Sequence, residues 1–224
     1  KRNCLLWFFI IDGRHTFLCP DPVEQQQIIM SKTCHSEYGK IDTLFIKHVK
    51  DAFVSDESID EQWEQLNYLG MPDFNQAISE YANLEKILKA HCNEVKYLSH
   101  DESVGMDSIY CRDAAIATDH GMIICNMGKE ARKQEPAAER AAFEQHNIPI
   151  LGAIKSPGTL EGGDVAWLDE STLAVGHTYR TNQEGIQQLR DLLSPFGIRV
   201  VHISLPHYKG QSDVFHLMSI LSPV

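Results

Sequence analysis

The chain has 224 residues and a formal net charge of −11, from 20 Lys and Arg against 31 Asp and Glu. That length suits one large domain or two small ones, and 43% hydrophobic with 23% charged residues is the make-up of an ordinary soluble globular protein. The acidic balance repels phosphate backbones, which argues against nucleic-acid partners and in favour of cationic ones.

Residues 1–29 fit poorly with the rest of the chain. Lys1 and Arg2 precede the apolar run "LLWFFII", which is too short to span a membrane and has no small-residue cleavage site after it, and Met30 opens a natural-looking start. The expectation is an upstream extension over 1–29, outside the fold, with the folded domain over 30–224.

From Ile41 onward short apolar runs alternate with helical stretches. "TLFIKHV" (43–49) predicts a strand. Asp73 predicts a helix cap, with Gln76 behind it and Phe74, Ile78, Tyr81, Leu84, Ile87 and Leu88 at helical spacing up to Cys92. Strands are expected at 94–99, 108–111, 114–118 and 121–127, with a tight turn at Asp119-His120-Gly121. A helix starts at Pro136 after a loop from Lys129 to Glu135, because proline suits only a first turn. Strands follow at 148–154, 164–169 and 172–176; Thr181 and Glu184 predict a capping box for a helix carrying Ile186, Leu189, Leu192 and Leu193 to Ser194-Pro195; 198–205 is a last strand. The order strand, strand, helix, strand recurs at 114–154 and 164–205, and more loosely at 41–99. Such a unit cannot bury its apolar face alone and implies stacked or radially arranged modules.

Six cysteines (Cys4, Cys19, Cys34, Cys92, Cys111, Cys125) form no CxxC pair and eleven histidines form no HExxH, so no metal and no cofactor is expected and the thiols read as reduced, as in the cytoplasm. Chemistry concentrates in four stretches. In "SPGTLEGGDVAWL" glycines at 162 and 163 let the backbone adopt unusual conformations or admit a close neighbour, and place Glu161 and Asp164 where they either share a bound cation or cap nearby backbone N–H groups. Arg112-Asp113 stands between apolar segments, as a local ion pair or as a buried functional charge. Arg180 precedes a helix, facing solvent or an anion. His216 lies in an apolar run, as a core residue or as an acid/base.

In succession, "MDSIYCRDAAIATDHGMIICNMGKEARKQEP", "GTLEGGDVAWL", "TLAVGHTYRTNQEGI" and "FHLMS" resemble the guanidine-modifying superfamily of amidinotransferases, arginine deiminases and dimethylarginine dimethylaminohydrolases, from about Ile41 to Val224. The resemblance implies a pentein-type five-bladed α/β propeller of ββαβ modules. It makes His216 the general acid/base, Glu161 its carboxylate partner, Asp113 the second carboxylate at the guanidinium, Asp164 a supporting substrate-binding residue, and Arg180 and Arg132 the receivers of the substrate's α-carboxylate. The expected partner is a small cationic guanidino substrate, with no nucleic acid and no membrane.

In the superfamily a cysteine downstream of the histidine attacks the guanidinium carbon, and none of the six cysteines here stands in that position. The chain therefore reads as a fragment, incomplete at the C-terminus, that releases no citrulline by itself; the open strand edges of such a fragment favour homo-oligomers. Met218, where arginine deiminases and arginine:glycine amidinotransferases usually have an acid, leans toward methylated arginine. Transfer of the amidino group to an acceptor amine, and noncatalytic binding of a cationic amino acid, are the alternative readings.

Overall fold

Among the described residues, alternating apolar runs and amphipathic stretches build three sheets of three strands each, joined by helices. The computed structural model describes residues 36–206 and 215–222, together with the backbone of Phe9–Ile11. In the first sheet β1 (Phe9–Ile11) runs antiparallel to β2 (Thr43–Lys47), and β2 runs parallel to β3 (Glu94–Leu98) after helices α1 (Val49–Phe53), α2 (Asp56–Gln62) and α3 (Phe74–His91). Backbone from the segment read as an extension thus pairs with the fold.

The second sheet repeats the plan. β4 (Ala115–Thr118) and β5 (Gly121–Ile124) form a hairpin, and helix α4 (Glu135–Gln145) carries the chain over to β6 (Ile150–Ala153), parallel to β5. In the third, β7 (Val165–Asp169) and β8 (Thr172–His177) are antiparallel, and α5 (Gln183–Leu193) leads to β9 (Arg199–Ser204), parallel to β8. A crossover helix is what a parallel neighbour requires, since a two-residue turn can join only antiparallel strands.

Local signals explain most boundaries. Asp73 Oδ1 accepts the Gln76 N–H at 2.7 Å and starts α3, as its position predicts. Pro136 occupies the first turn of α4. Two expectations fail for identifiable reasons. Instead of a strand at 108–111, the chain makes two 3-10 turns, Met106–Ile109 and Cys111–Asp113, whose amides are satisfied locally: Tyr110 N–H donates to Asp107 O and Asp113 N–H to Tyr110 O, both at 3.0 Å. And α5 is capped by Asn182, whose Oδ1 accepts the Gly185 N–H at 2.8 Å, because Thr181 spends its hydroxyl on Asp164.

Two of the cores join neighbouring modules. Phe45 and Leu98 of the first sheet pack with Cys111, Ala115, Met122, Ile124 and Phe143 of the second module. Ile116 and Ile123 of the second sheet pack with Val165, Trp167, Leu173 and Val175 of the third, under Ile186, Leu189 and Leu193 of α5. Fully burying one such side chain contributes roughly 1.5–3 kcal/mol. Two of the cores are therefore seams between modules, while Leu44, Ile46, Val49, Phe53, Ile59 and Tyr81 form another between the first sheet and its own helices.

Candidate active site

Three connections deliver a compact acidic cluster. Asp113 ends the 3-10 turn ahead of β4, Glu161 precedes a second such turn (Gly162–Asp164) ahead of β7, and His216 precedes a third (Leu217–Ser219) after β9. One donor atom from each of Asp113, Glu161 and His216 lies within 4.8 Å of the others, and both carboxylates are buried. His216 Nε2 and Glu161 Oε2 are 3.0 Å apart.

The glycine pair works by close approach. Neither glycine has a positive φ. A Cβ on Gly162 would lie 2.1 Å from the Arg112 carbonyl oxygen, and one on Gly163 would lie 2.6 Å from Asp113 Oδ1 and 2.7 Å from His216 Nδ1. Only hydrogen side chains let the segment bearing Glu161 slide under Asp113 and His216.

Glu161 is fixed by three hydrogen-bond partners and one ion-pair neighbour. Its Oε1 accepts the backbone N–H groups of Gly128 and Lys129, each at 3.0 Å, and lies 3.6 Å from Arg180 Nη1; Oε2 faces His216. Burial works to raise its pKa, yet the His216 hydrogen bond and charge, with the nearby Arg132 and Arg180, outweigh burial and hold the carboxyl well below the usual range. Conversely, burial works to lower the His216 pKa, and the bond to Glu161 with the charges of Asp113, Asp164 and Glu161 overcomes it, raising the value to about 9. At neutral pH the pair is imidazolium and carboxylate.

Asp164 does not join the cluster as an open carboxylate. It is fully buried and every oxygen is engaged: Oδ2 accepts from Thr178 Oγ1 at 2.7 Å and Thr181 Oγ1 at 2.6 Å, and Oδ1 from the Leu217 N–H at 3.0 Å. Asp164, expected as a supporting residue of the pocket, is held on both oxygens by protein donors. This carboxylate ties the turn after His216 to the loop after β8, and so sets the ring in place.

Arg132 is likewise committed. Its Nη1 donates to Asp113 Oδ2 at 2.6 Å, its Nε and Nη2 grip Glu135 at 2.7–3.0 Å, and Nη2 also reaches Tyr110 O. A substrate carboxylate would compete there with two buried acids. Arg180 has less to give up, meeting only Glu161 at 3.6 Å among the described partners. Arg112 forms no pair with its neighbour Asp113; its guanidinium forks onto Glu37 at 2.9 and 3.0 Å and reaches Val165 O at 2.9 Å. Asp113 Oδ1, opposite its bond to Arg132, is buried without a hydrogen-bond partner among the described residues. The site thus presents one uncommitted carboxylate oxygen beside an imidazolium.

Glu37, Gly128, Lys129 and Thr178 were not singled out in sequence, since Gly128 and Lys129 act through backbone N–H groups, Thr178 through a hydroxyl and Glu37 through a carboxylate 75 positions from Arg112, and Thr181 was read only as a helix cap. A metal ion could use one atom each from Asp113, Glu161 and His216, but Glu161 and His216 already engage one another. Of the described cysteines, Cys111 and Cys125 are buried in the seams, and burial first of all pushes both thiols above their ordinary range; Cys92 caps α3 at its C-terminal end.

The arginine deiminase family model matches residues 22–222. The chain belongs to the arginine deiminase family. That match covers Asp113, Arg132, Glu161, Asp164, Arg180 and His216. The chain is 34% identical over 116 residues to an N(G),N(G)-dimethylarginine dimethylaminohydrolase of Streptomyces coelicolor, covering 52% of this chain and 42% of the relative. It is 26% identical over 132 residues to the enzyme of that name from Pseudomonas aeruginosa, covering 59% and 51%. The chain therefore spans about half the length of these relatives. Among solved structures, DDAH from Pseudomonas aeruginosa in complex with citrulline superposes with a TM-score of 0.63 at 23% identity, over 79% of this chain and 63% of that one. The N-terminal domain of ArgZ, a cyanobacterial arginine dihydrolase, gives 0.59 at 14%, over 73% and 58%. These two superpositions establish the α/β fold of the family.

Proposed function

We propose that the chain supplies the guanidinium-holding and acid–base residues of a cysteine-dependent hydrolase of methylated arginine, within a five-bladed α/β propeller of which the three sheets are modules. The observation that carries this reading is the triplet of buried Asp113 and Glu161 with the partly buried His216, and the Asp113 Oδ1 beside the ring, unpartnered among the described residues. A planar guanidinium donates readily to such an oxygen, and its flat face is then fixed toward an attacking group. Arg180 receives the far carboxylate; Arg132 acts chiefly by holding Asp113.

In this reading a thiolate attacks the central guanidinium carbon and the carbon–nitrogen bond to the methylated nitrogen breaks, the amine leaving with the proton of His216. Water, deprotonated by the same ring, then displaces the thiolate and citrulline forms. Glu161 keeps the imidazole protonated for the first step and correctly turned for the second. Cys111 and Cys125, buried in the seams with raised pKa values, are not this thiolate. Met218, half-buried against the cluster of Ala166, Ala174, Leu205 and Leu217, leaves an apolar group two residues past His216 and supports a methylated substrate, as do the names of the two relatives.

Calorimetric titration with dimethylarginine, arginine and citrulline tests the reading. Dimethylarginine is expected to bind about tenfold tighter than arginine, and Asp113→Asn to abolish both, with no citrulline released by this polypeptide. Tighter binding of unmethylated arginine overturns the substrate assignment, and turnover that disappears in Cys111→Ser or Cys125→Ser overturns the assignment of the thiol.

A further inference from the structure

Away from the Asp113 cluster, α4, the end of β3 and the segment that follows it line a half-open cavity of about 150 Å³, to which the exposed Ser99 and His100 and the half-buried Asp101 also contribute. Two polar atoms on its wall have no hydrogen-bond partner among the described residues, and a third group, Lys47, has no ion pair there. Glu139, 5% exposed, makes no ion pair, and its Oε2 has no hydrogen-bond partner. Ser108 Oγ is buried and likewise unpartnered. Lys47, 3% exposed, donates to Ser99 O but meets no carboxylate at ion-pair distance. Glu135 also faces the cavity and is spent on Arg132. Leu98 and Ala142 add apolar wall.

A buried carboxyl without a donor and a buried ammonium without an acid are both costly, and each is relieved by a ligand group of opposite charge. Glu135 is taken by Arg132 and Asp101 by Ser103, so Glu139, Lys47, a free hydroxyl and a short apolar wall remain to match a molecule with an anionic end, a cationic end and a small stem. A cavity of this size holds roughly six non-hydrogen atoms, as benzene shows in a comparable space. We infer that this cavity is a second ligand site, for a small zwitterionic amino acid whose ammonium meets Glu139 and whose carboxylate meets Lys47 and Ser108. Burial raises the Glu139 pKa well above its usual range, aided by the charge of Glu135, and burial lowers that of Lys47, so both groups carry the strain that such a ligand removes. The site is independent of the proposed hydrolysis.

The test is calorimetric titration of the full chain with L-alanine, ethylamine and propionate as probes. L-Alanine is expected to saturate a single site, with ethylamine and propionate each about tenfold weaker or more, since each satisfies only one buried charge. Glu139→Gln and Lys47→Met should each weaken alanine binding by about tenfold, while Glu161→Gln leaves it unchanged. Should Lys47→Met fail to fold, Ser108→Ala with Glu139→Gln carries the test. No saturable binding of alanine, which would mean a cavity holding water alone, overturns the inference. So does ethylamine binding as well as alanine, indifference to the cavity variants, or loss of binding in Glu161→Gln, which would put the ligand in the other site.

Discussion

Replacing Glu161 by Gln keeps the side chain's shape and its acceptor for the Gly128 and Lys129 N–H groups, and removes the charge opposite His216. The folded-state pKa of His216 is raised from 6.5 to about 9, and at ~1.4 kcal/mol per pH unit this displacement corresponds to about 3 kcal/mol favouring the protonated ring. A raised histidine contributes stability that is fully present below 6.5 and lost as pH rises through about 9. In Glu161→Gln burial is left opposing protonation with less to counter it, so the ring should titrate well below the wild-type value. The wild type should therefore exceed the variant in stability by about 2–3 kcal/mol at pH 7, within the range for breaking a buried pair, and the gap should narrow by about pH 10. NMR titration of the His216 ring, with urea unfolding at both pH values, measures each quantity. An unchanged ring titration in the variant, or a stability gap that stays constant between the two pH values, would refute the reasoning.

A methyl group at Gly162 meets the Arg112 carbonyl oxygen at 2.1 Å, a backbone atom that cannot turn aside, so Gly162→Ala should destabilise by about 1–3 kcal/mol or more and lower the thermal midpoint. Gly197→Ala is the contrast: its φ of 72° penalises a side chain but nothing lies within 4 Å, so a loss of only about 1 kcal/mol is expected in the same melt. Thr181→Val takes one donor from Asp164 and the acceptor from the Glu161 N–H, for about 1–3 kcal/mol in urea unfolding and a weaker affinity for guanidino ligands in calorimetry. Asn182→Ala removes the cap of α5 and should cost about 1 kcal/mol in chemical denaturation while leaving that affinity intact.

The repeating unit was legible because its signals are local: period-two apolar runs, a cap at Asp73, a proline at the start of α4 and a two-residue hairpin turn. The turns at Met106–Ile109 and Cys111–Asp113 were not legible, because the apolar content of "SIYC" reflects burial at a seam and says nothing of strand pairing. At the site, EGGD correctly marked a close approach, and the cluster of Asp113, Glu161 and His216 gathers residues up to 103 positions apart in sequence. What sequence could not reveal was the division of labour among like charges. Asp164 looks equivalent to Glu161 on paper, and only the three donors around it show that it is closed. Arg132 and Arg180 look like a pair until Asp113 and Glu135 occupy the first of them.

No single stretch of polypeptide owns the chemistry of the acidic cluster. Asp113 comes from before β4, the two amides that hold Glu161 from after β5, Glu161 from before β7, Thr181 from after β8 and His216 from after β9. Local opening is governed by the weakest contacts in a structure and leaves neighbouring sheets folded. A protease nick in any one of those loops would thus silence the centre while circular dichroism still recorded nearly intact strands and helices, and recognition would be the first property of the protein to fail.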